Sequence, residues 1–366
     1  MPESNAERLL IRETLPEDAA ALMETIGRID EETEFLGKPG EYRRWREGFA
    51  ERLAQMRAKQ SGIYFLALDG GEIIGFLGAF RGALQAMRGV LYIAHVGVRR
   101  AWRGRGVGTR LFVAIEDWAR AQDMWRLELR VDEVNARGQA LYRKRGFITE
   151  GRIADAVFLE GEPHAHHWMA KTLRPLDGAD WPAVDPTPGR IDPGGVTLRA
   201  LRPEEARLLC RWERRLLAET PLFLKDAAEV LAEDAMAKLL AEEQKQDRLV
   251  LAALTRGADG EAMIGYGAIW KEPGLRMQHD CFFTLSLLQP YWGVGIGRAL
   301  WEGLESWARD QGARRLSSIL YAHNARGLRF AAAQGFAIDV ASPRFALKGG
   351  RVVGRIRLGK RLPGAA

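Results

Sequence analysis

The sequence has few cysteines and no long apolar run, and each lack excludes a class of protein. Cys210 and Cys281 are the two cysteines among 366 residues; they are too few for a disulfide scaffold and lack the CxxC or Cys/His spacing of a zinc module. No run of about 18 apolar residues is present, so no transmembrane helix is expected. The beginning, MPESNAERLLIRET, lacks the basic and then apolar pattern of a signal peptide. The sequence therefore predicts a cytoplasmic globular protein without a membrane partner.

The charge balance is weakly basic. Lys and Arg number 54 against 48 Asp and Glu, which gives a net charge of +6 and a pI near 9.4. A basic surplus favours a polyanionic partner, which is nucleic acid, a membrane surface or a phosphorylated cofactor. Only the positions of the charges along the chain distinguish these partners.

The chain contains an internal duplication. Gly106–Phe147 aligns with Gly295–Phe336 without a gap at an offset of 189, with 16 identities over 42 positions. Weaker matches upstream, such as Ile73–Phe80 with Met263–Trp270, extend the similarity over nearly the whole of each half. A repeat of this length indicates two copies of one fold.

A segment rich in proline and glycine separates the two copies. Arg174–Gly195 holds five of the fifteen prolines, a density that interrupts helices and strand ladders. We therefore expect residues 1–173 to form one domain, 174–195 a linker and 196–366 a second domain. Each domain is large enough to bury its own core.

Within the first copy, apolar residues recur at strand spacing in some segments and at helix spacing in others. Strands are predicted at Leu9–Glu13, Ile63–Leu68, Ile73–Phe80, Val90–Val98 and Arg126–Val131, with two more near Phe147–Ile153 and His166–Leu173. Helices are predicted at Pro16–Gly27, Glu41–Lys59, Arg105–Ala121 and Asn135–Lys144. Strands in succession, followed by alternation with helices, predict a mixed α/β fold of the α+β type with a mixed sheet.

A loop rich in glycine and arginine follows the fourth predicted strand. Its sequence, RRAWRGRGVGTRL, spans Arg99–Leu111, holds five arginines, and lies in a stretch from Ala94 to Ile115 without an acidic residue. Glycines let backbone N–H groups converge, and the start of a helix adds unpaired donors and a partial positive charge. The loop is therefore a candidate pyrophosphate site. It is not a P-loop, because no Gly-Lys-Ser/Thr follows.

Two motifs together resemble the GNAT acetyltransferase superfamily, whose members transfer acetyl groups from acetyl-CoA, mostly to amines. Arg103-x-x-Gly106-x-Gly108 matches the cofactor loop of that family. NARGQALYRKRGF, at Asn135–Phe147, matches its N-x-x-A-x-x-L-Y-x-x-x-G-F block, except that Gly138 replaces the usual alanine. The resemblance implies two tandem acyl-CoA N-acyltransferase-like domains.

The resemblance also implies where acetyl-CoA binds. The sheet is expected to splay between its fourth and fifth strands, with the pantetheine paired to backbone near Val96 and Val98. The residues expected to hold the pyrophosphate are Arg103, Gly104, Arg105, Gly106, Val107, Gly108 and Thr109. Asn135 is also expected to contact the cofactor, and no metal is expected.

For the chemistry, the resemblance implies direct attack of an amine on the thioester in the first domain, with Tyr142 donating a proton to the CoA thiolate. A half-buried core tyrosine is the alternative for this residue. The fourth strand has no acid, so the base stays open between His95, Asp132, Glu133 and water. Strict alternation places His95 on the strand face opposite to Tyr92 and Ala94, and a bulge in the strand would change that.

Two further groups of residues are candidates for the acceptor side. His164, His166 and His167 cluster in EPHAHHW; a turn followed by an edge strand is the favoured explanation, with metal binding or an acceptor contact as alternatives. The region Asp30–Lys59 is expected to border the acceptor cleft. Its acids either attract a cationic amine or form a solvated helix face, and they are Glu31, Glu32, Glu34 and Glu41.

The second half differs at the positions that carry the chemistry. Tyr142 corresponds to Ala331, and the loop arginines correspond to Trp292, Val294 and Ala299. The glycines persist at Gly293, Gly295 and Gly297, as does Asn324. The second domain is therefore expected to be degenerate, kept for structure, weak CoA binding or shaping of the acceptor site, unless Tyr321 supplies another acid.

Three functions compete. The favoured one is an acetyl-CoA-dependent N-acetyltransferase whose acceptor is a small-molecule or peptide amine. The second is a non-catalytic CoA-binding or regulatory tandem protein. The third, nucleic-acid binding, rests on the basic charge alone and is disfavoured, because the densest run of arginines coincides with the cofactor loop.

Overall fold

The computed structural model describes residues 9–35, 43–159, 161–184, 187, 189, 191, 194–244, 248–257, 260–272, 274 and 276–363. They form two compact units, the first made mainly of residues up to Ala179 and the second mainly of residues from Asp180 onward. This division falls inside the predicted linker, next to a two-residue strand, β8 (Ala179–Asp180). Among the described residues, no helix has both the length and the apolar character needed to cross a membrane.

The first unit contains seven strands and five helices among its described residues. The strands are β1 (Leu9–Glu13), β2 (Gly62–Asp69), β3 (Glu72–Arg81), β4 (Val90–Val98), β5 (Arg126–Asp132), β6 (Ile148–Leu159) and β7 (Glu162–Thr172). The helices are α1 (Ala19–Glu31), α2 (Arg43–Arg46), α3 (Phe49–Ala58), α4 (Val107–Ala121) and α5 (Ala136–Lys144). The predicted bounds of β1 and β4 are confirmed, and the long helix predicted at Glu41–Lys59 is instead two short helices within the described part.

The first sheet has the strand order β1-β2-β3-β4-β5-β7-β6. Its neighbours are antiparallel except for β4 and β5, which are parallel. One sheet face packs on α4 and the other on α1 and α3, so each face has its own apolar core. Because β7 lies between β5 and β6, the three histidines are on an interior strand, and the expectation of an edge strand is wrong.

The second unit repeats this arrangement. Its strands are β9 (Val196–Arg199), β10 (Arg248–Gly257), β11 (Gly260–Lys271), β12 (Asp280–Leu287), β13 (Arg315–Tyr321), β14 (Ala337–Lys348) and β15 (Arg351–Arg361). Its helices are α6 (Ala206–Glu219), α7 (Glu233–Gln244), α8 (Ile296–Asp310) and α9 (Ala325–Ala333). The strand order is β14-β15-β13-β12-β11-β10-β9, with β12 and β13 parallel. The mixed α/β class is confirmed in both units.

A carboxylate that is buried in the first unit and half-buried in the second ties the long helix of each unit to its sheet. In the first unit, Glu116 of α4 is 2% exposed and receives Lys171 Nζ at 2.7 Å and Arg145 Nη2 at 2.7 Å. In the second unit, Glu305 of α8 receives Lys360 Nζ at 2.9 Å. A buried ion of this kind is stable only while its partners are present, so these contacts hold helix and sheet together.

Candidate active site

Strands β4 and β5 pair over only part of their length. Their ladder runs from Val90 opposite Arg126 to Ile93 opposite Leu129, whereas β4 continues to Val98 against β3. Beyond Ile93, the side of β4 that faces β5 therefore has main-chain groups without a ladder partner on β5 among the described residues. Such groups need other partners. The predicted splay is confirmed.

A cavity of about 670 Å³ lies at this splay. It is bounded by the separated ends of β4 and β5, the start of α4 and one side of α5. The expected site residues that line it are Val96, Val98, Arg103, Gly104, Gly106, Val107, Gly108, Thr109, Asn135 and Tyr142. Arg105 is the exception, because its guanidinium lies 5.0 Å over the Trp102 ring and does not line the cavity.

The start of α4 has the shape of an anion cradle. Gly104 and Gly106 both have a φ of +81°, and a Cβ on either would meet no atom within 4 Å. The positive φ, rather than crowding, therefore requires glycine, and the space above the two residues is open. The first N–H groups of α4, from Val107 onward, have no partner within the helix. The residues present fit the pyrophosphate of acetyl-CoA.

The positive charge of the loop is partly neutralised by Glu32, which follows α1. Its carboxylate lies 3.2 Å from Arg99 Nε and 3.6 Å from Arg103 Nη2, and it accepts the backbone N–H of Arg100. Arg103 Nε also donates to the carbonyl oxygen of Val98 at 2.9 Å. The loop is thus less positive than its local sequence suggests.

Besides Arg130 on β5, two cations that the sequence did not single out line the same cavity. Arg137 and Lys144 both belong to α5. They lie in the block that resembles the GNAT family, on the same helix as Tyr142. They add positive charge to the lining of the cavity.

Tyr142 lies both in the apolar core and at the cavity, so neither of the two predicted settings excludes the other. Its ring packs on Phe112, with centroids 5.3 Å apart, and it also lines the cavity. Burial raises the pKa of Tyr142 to about 12, so its phenol is neutral at ordinary pH. Among the described residues, its hydroxyl makes no hydrogen bond.

A β-bulge changes the face on which His95 lies. Between its ladder positions opposite β3, β4 contains one extra residue, Ala94. Because the bulge reverses the alternation, His95 and Tyr92 share one face, and the expectation that they face opposite sides is wrong. His95 Nδ1 lies 3.2 Å from the Tyr64 hydroxyl, and burial lowers the pKa of His95. The imidazole lines the cavity.

Asp132 is the carboxylate that the fold brings to the cavity. It is buried, lines the cavity, and accepts the N–H of Val134 at 2.9 Å. His164 Nδ1 lies 3.5 Å from one of its oxygens and His166 Nε2 lies 4.0 Å from the other. Within the described ranges, no cluster of three or more His, Cys, Asp or Glu side chains has a geometry suited to a metal ion.

His166 lines the cavity, and its side chain is 17% exposed. Burial, followed by the charge of Arg130, lowers the pKa of His166 to about 3, so the ring is neutral at ordinary pH. Its Nδ1 is buried and has no hydrogen-bond partner among the described residues. A buried polar atom without a partner is unfavourable.

The other acids that were considered lie outside the cavity. Glu133 forms hydrogen bonds to Arg152 at 3.0 and 2.8 Å. Burial opposes its ionisation, but the Arg152 hydrogen bonds and the Ala165 N–H outweigh burial and lower the pKa of Glu133. In the region after Asp30, the cavity is lined by Thr33 and Phe35 and by none of the described acids. Glu41 lies outside the described residues.

A splayed parallel pair, followed by a glycine turn at the start of a long helix, defines both units as acyl-CoA N-acyltransferase-like folds. The profile of the Acetyltransferase (GNAT) family matches residues 28–147 and 215–336. The chain therefore belongs to the GNAT acetyltransferase family, whose members use acetyl-CoA, and it contains two tandem copies.

Similar proteins are acetyltransferases. The chain is 31% identical to the L-2,4-diaminobutyric acid acetyltransferase of Shouchella clausii over 111 residues, which is 30% of this chain and 61% of that protein. A GNAT-family acetyltransferase structure from Streptococcus pneumoniae is 28% identical, with a TM-score of 0.41, and the match covers 45% of this chain and 99% of that one. The ribosomal-protein-alanine N-acetyltransferase of Brucella melitensis is 20% identical, with a TM-score of 0.39, over 44% and 99% of the two chains.

Proposed function

We propose that the chain is an acetyl-CoA-dependent N-acetyltransferase that works in the first unit, by direct attack of an amine on the thioester. The observation that supports this proposal is the single cavity lined by the glycine cradle, the separated end of β4 and Tyr142. The second unit has Ala331 at the position of Tyr142. At this position, a phenol is therefore present in the first unit and absent from the second.

The residues of the cradle hold acetyl-CoA in this proposal. The N–H groups of Gly104–Thr109 bind the pyrophosphate, and the main chain at Val96 and Val98 pairs with the pantetheine. The side chain of Asn135 accepts the N–H of Gly138 at 2.9 Å, so Asn135 positions the start of α5 against the cofactor. When bound, acetyl-CoA supplies the activated acetyl group.

Two groups of the first unit act at the thioester. Main-chain N–H groups of β4 at the bulge, next to Ala94, polarise the carbonyl as its oxygen gains negative charge. Tyr142 gives its proton to the sulfur of the departing CoA. The raised pKa keeps Tyr142 protonated until the thiolate forms.

Asp132 and His166 act on the amine. The acceptor arrives as an ammonium ion, and the carboxylate of Asp132 attracts it into the cavity. The amine loses one proton toward the Asp132–His166 pair, whose nitrogen and oxygen lie 4.0 Å apart, before it attacks. The second proton leaves the nitrogen as the C–S bond breaks and replaces the proton that Tyr142 gives to the sulfur. His166 is neutral and is able to accept a hydrogen bond from the nitrogen nucleophile. Glu133 is not used, because Arg152 already binds it.

The acceptor in this proposal carries a carboxylate as well as the reacting amine. Arg130 and Asp132 are two residues apart on β5, so their side chains share a face about 7 Å apart. Both line the cavity. A cation and an anion at this spacing match an amino acid with a second amine on its side chain. The relative from Shouchella clausii is named for such a compound.

The test is release of the CoA thiol by the purified full chain with two acceptors. L-2,4-diaminobutyrate and 1,3-diaminopropane differ by the carboxylate alone. We expect faster turnover of the first acceptor, and Arg130→Gln should remove that preference without abolishing turnover of the diamine. Equal turnover of both acceptors in the wild type would contradict the acceptor class. Binding of CoA without turnover of any amine, and with no effect of Tyr142→Phe, would instead favour a non-catalytic CoA-binding protein.

A further inference from the structure

The second unit has a splay of its own. Strands β12 and β13 pair from Asp280 opposite Arg315 to Phe282 opposite Ser317, and β12 then continues to Leu287 against β11. In the first unit, the corresponding space is the 670 Å³ cavity. The second unit also keeps the turn that precedes its long helix, since Gly293 and Gly295 have φ values of +84° and +93°.

A segment from the predicted linker lies in this splay. The backbone N–H of Val184 donates to the carbonyl oxygen of His323 at 2.7 Å, and Val184 forms a parallel bridge with Asn324, just beyond the end of β13. The Val184 side chain packs against an apolar cluster whose buried members include Leu287 and Ile296. Val184 is therefore bonded just beyond the end of β13 and packs against the cluster that includes the end of β12 and the start of α8.

Trp181 adds a ring contact to the same site. Its indole stacks on the His323 imidazole, with centroids 5.1 Å apart and planes at 21°. The imidazole is buried and is itself held by a hydrogen bond between Nε2 and the carbonyl of Pro221 at 3.1 Å. A stack on a fixed ring stabilises the segment beyond the apolar area that it buries.

Further along, the segment is hydrogen-bonded to the loop before the glycine turn. Gly189 N–H donates to the carbonyl of Gln289 at 3.2 Å, and Ile191 N–H donates to the carbonyl of Pro290 at 2.8 Å. A Cβ on Gly189 would come within 2.3 Å of Pro290 Cα, so the backbones approach more closely than another residue allows. The segment is therefore attached to the unit on both sides of the splay.

We infer that Trp181–Val184 is the occupant of the second unit's cofactor cleft, bound there as an added strand of the same chain, and that it keeps CoA out. Addition of an extended segment to unpaired strand ends is a common mode of peptide binding. A tethered occupant has an effective concentration in the millimolar range. To bind the second unit, CoA must displace this segment. The neighbouring loop offers CoA less charge, because Trp292, Val294 and Ala299 stand where the first unit has arginines. The inference rests on the proposed use of the first cleft by CoA, and it gives the chain one CoA site.

Hydrogen exchange of the wild-type chain tests the occupant directly. The amides of Val184 and Ile191 should be protected, and saturating CoA should leave their exchange rates unchanged. Fast exchange of Val184 in the free chain, or loss of its protection on addition of CoA, would overturn the inference. This measurement needs no substitution. It reports on the binding of the segment even if the proposed acetyl transfer is wrong.

Calorimetric titration with CoA tests the exclusion. The wild type should bind one equivalent, and Gly106→Val, which places a side chain in the first cradle at positive φ, should bind none. Trp181→Ala combined with Val184→Pro removes the stack and the N–H donor, and should add a second equivalent at least about tenfold weaker. The matched control, Trp181→Phe with Val184→Ala, keeps ring and donor and should still bind one.

Two titration results would overturn the inference: two equivalents in the wild type, or one equivalent in the opened variant. Circular dichroism and thiol release by the first unit show that the opened variant is folded. A wild type that binds no CoA would contradict the proposed function, while the exchange of Val184 would still report on the occupant.

Discussion

Trp292 makes in the second unit the hydrogen bond that Arg103 makes in the first. Arg103 Nε lies 2.9 Å from the carbonyl oxygen of Val98, and Trp292 Nε1 lies 2.7 Å from that of Leu287, the equivalent strand end. The side chain at this position therefore has a structural task, which is to tie the loop to the end of the strand. In the first unit Arg103 also carries a positive charge. In the second unit Trp292 makes the equivalent hydrogen bond but carries no charge.

Arg103→Trp separates these two roles. The indole N–H should preserve the tie to Val98, whereas the charge near the cradle is lost. We expect the KM for acetyl-CoA to rise about tenfold, the size of one charge-assisted hydrogen bond, with little change in the thermal midpoint. Arg103→Ala removes donor and charge together and should lower the midpoint as well. Equal midpoints for the two variants would show that the hydrogen bond is not structural.

Tyr142→Phe tests the proton donor. The ring should still pack on Phe112, so stability should change little, while kcat falls about 100-fold, in the range for loss of a general acid. Because burial raises the pKa of Tyr142 to about 12, the donor stays protonated well above the ordinary tyrosine value of about 10. The wild-type rate should therefore show no alkaline loss centred near pH 10. Such a loss, absent in the Phe variant, would contradict the buried environment of the phenol.

Asp132→Asn tests the carboxylate at the cavity. Loss of its charge should lower kcat/KM for the amine about 100-fold, and the KM for acetyl-CoA should stay nearly constant. Glu133→Gln is the matched control, because Glu133 is the next residue but is bound by Arg152 outside the cavity. Steady-state kinetics with the amine varied measure both variants. A larger effect from Glu133→Gln than from Asp132→Asn would reverse the assignment.

His166 makes stability depend on pH. Its pKa is about 3 in the folded chain against about 6.5 when unfolded, so the unfolded chain binds more protons between these values. The contribution of His166 is fully present above pH 6.5 and is lost as the pH falls toward 3, by up to about 1.4 kcal/mol per pH unit. In urea unfolding between pH 7 and pH 4, the free energy of unfolding should fall less steeply with decreasing pH for His166→Gln than for the wild type. His167→Gln controls for removal of an imidazole from β7, and identical slopes for the wild type and His166→Gln would refute the effect.

Glu116→Gln tests the tie between α4 and the sheet. The substitution leaves Lys171 and Arg145 without their anion, and breaking a buried pair of this kind should cost about 3 kcal/mol of the free energy of unfolding. Asp117→Asn is the adjacent control, since Asp117 is 70% exposed and pairs only with Arg120 at 3.4 Å. An exposed pair contributes about 0–1 kcal/mol. Similar losses for both variants would mean that Glu116 is not a buried anchor.

Patterns local in sequence predicted much of this fold. The duplication, the strands Leu9–Glu13 and Val90–Val98, and the glycine turn before α4 follow from periodicity and from residues that occupy special backbone conformations. The splay was implied by the family resemblance, and the structure confirms it. The family motif also pointed to Tyr142, which lines the cavity as well as packing in the core.

Contacts between residues that are far apart in the chain could not be predicted from the sequence. Glu32 is 67 residues from Arg99, so no local pattern shows that one compensates the other. The hydrogen bond of Trp292 could not be predicted from the sequence, because Trp and Arg are dissimilar residue types. Their side chains nevertheless both place an N–H donor at a similar distance from the backbone. The linker was recognised by its prolines, but its pairing with His323 depends on an unfilled splay that only the folded unit contains.

The bulge at Ala94 shows how two copies of one fold diverge by length rather than by side-chain type. The register of β4 against β3 shifts there by one residue, whereas β12 runs against β11 without a shift. Because a bulge takes up the extra residue locally, His95 opposite Gly78 and Thr284 opposite Ala268 keep equivalent places in the two sheets. A change in strand length is therefore confined to one main-chain irregularity at the splay, which the first unit has and the described strands of the second unit lack.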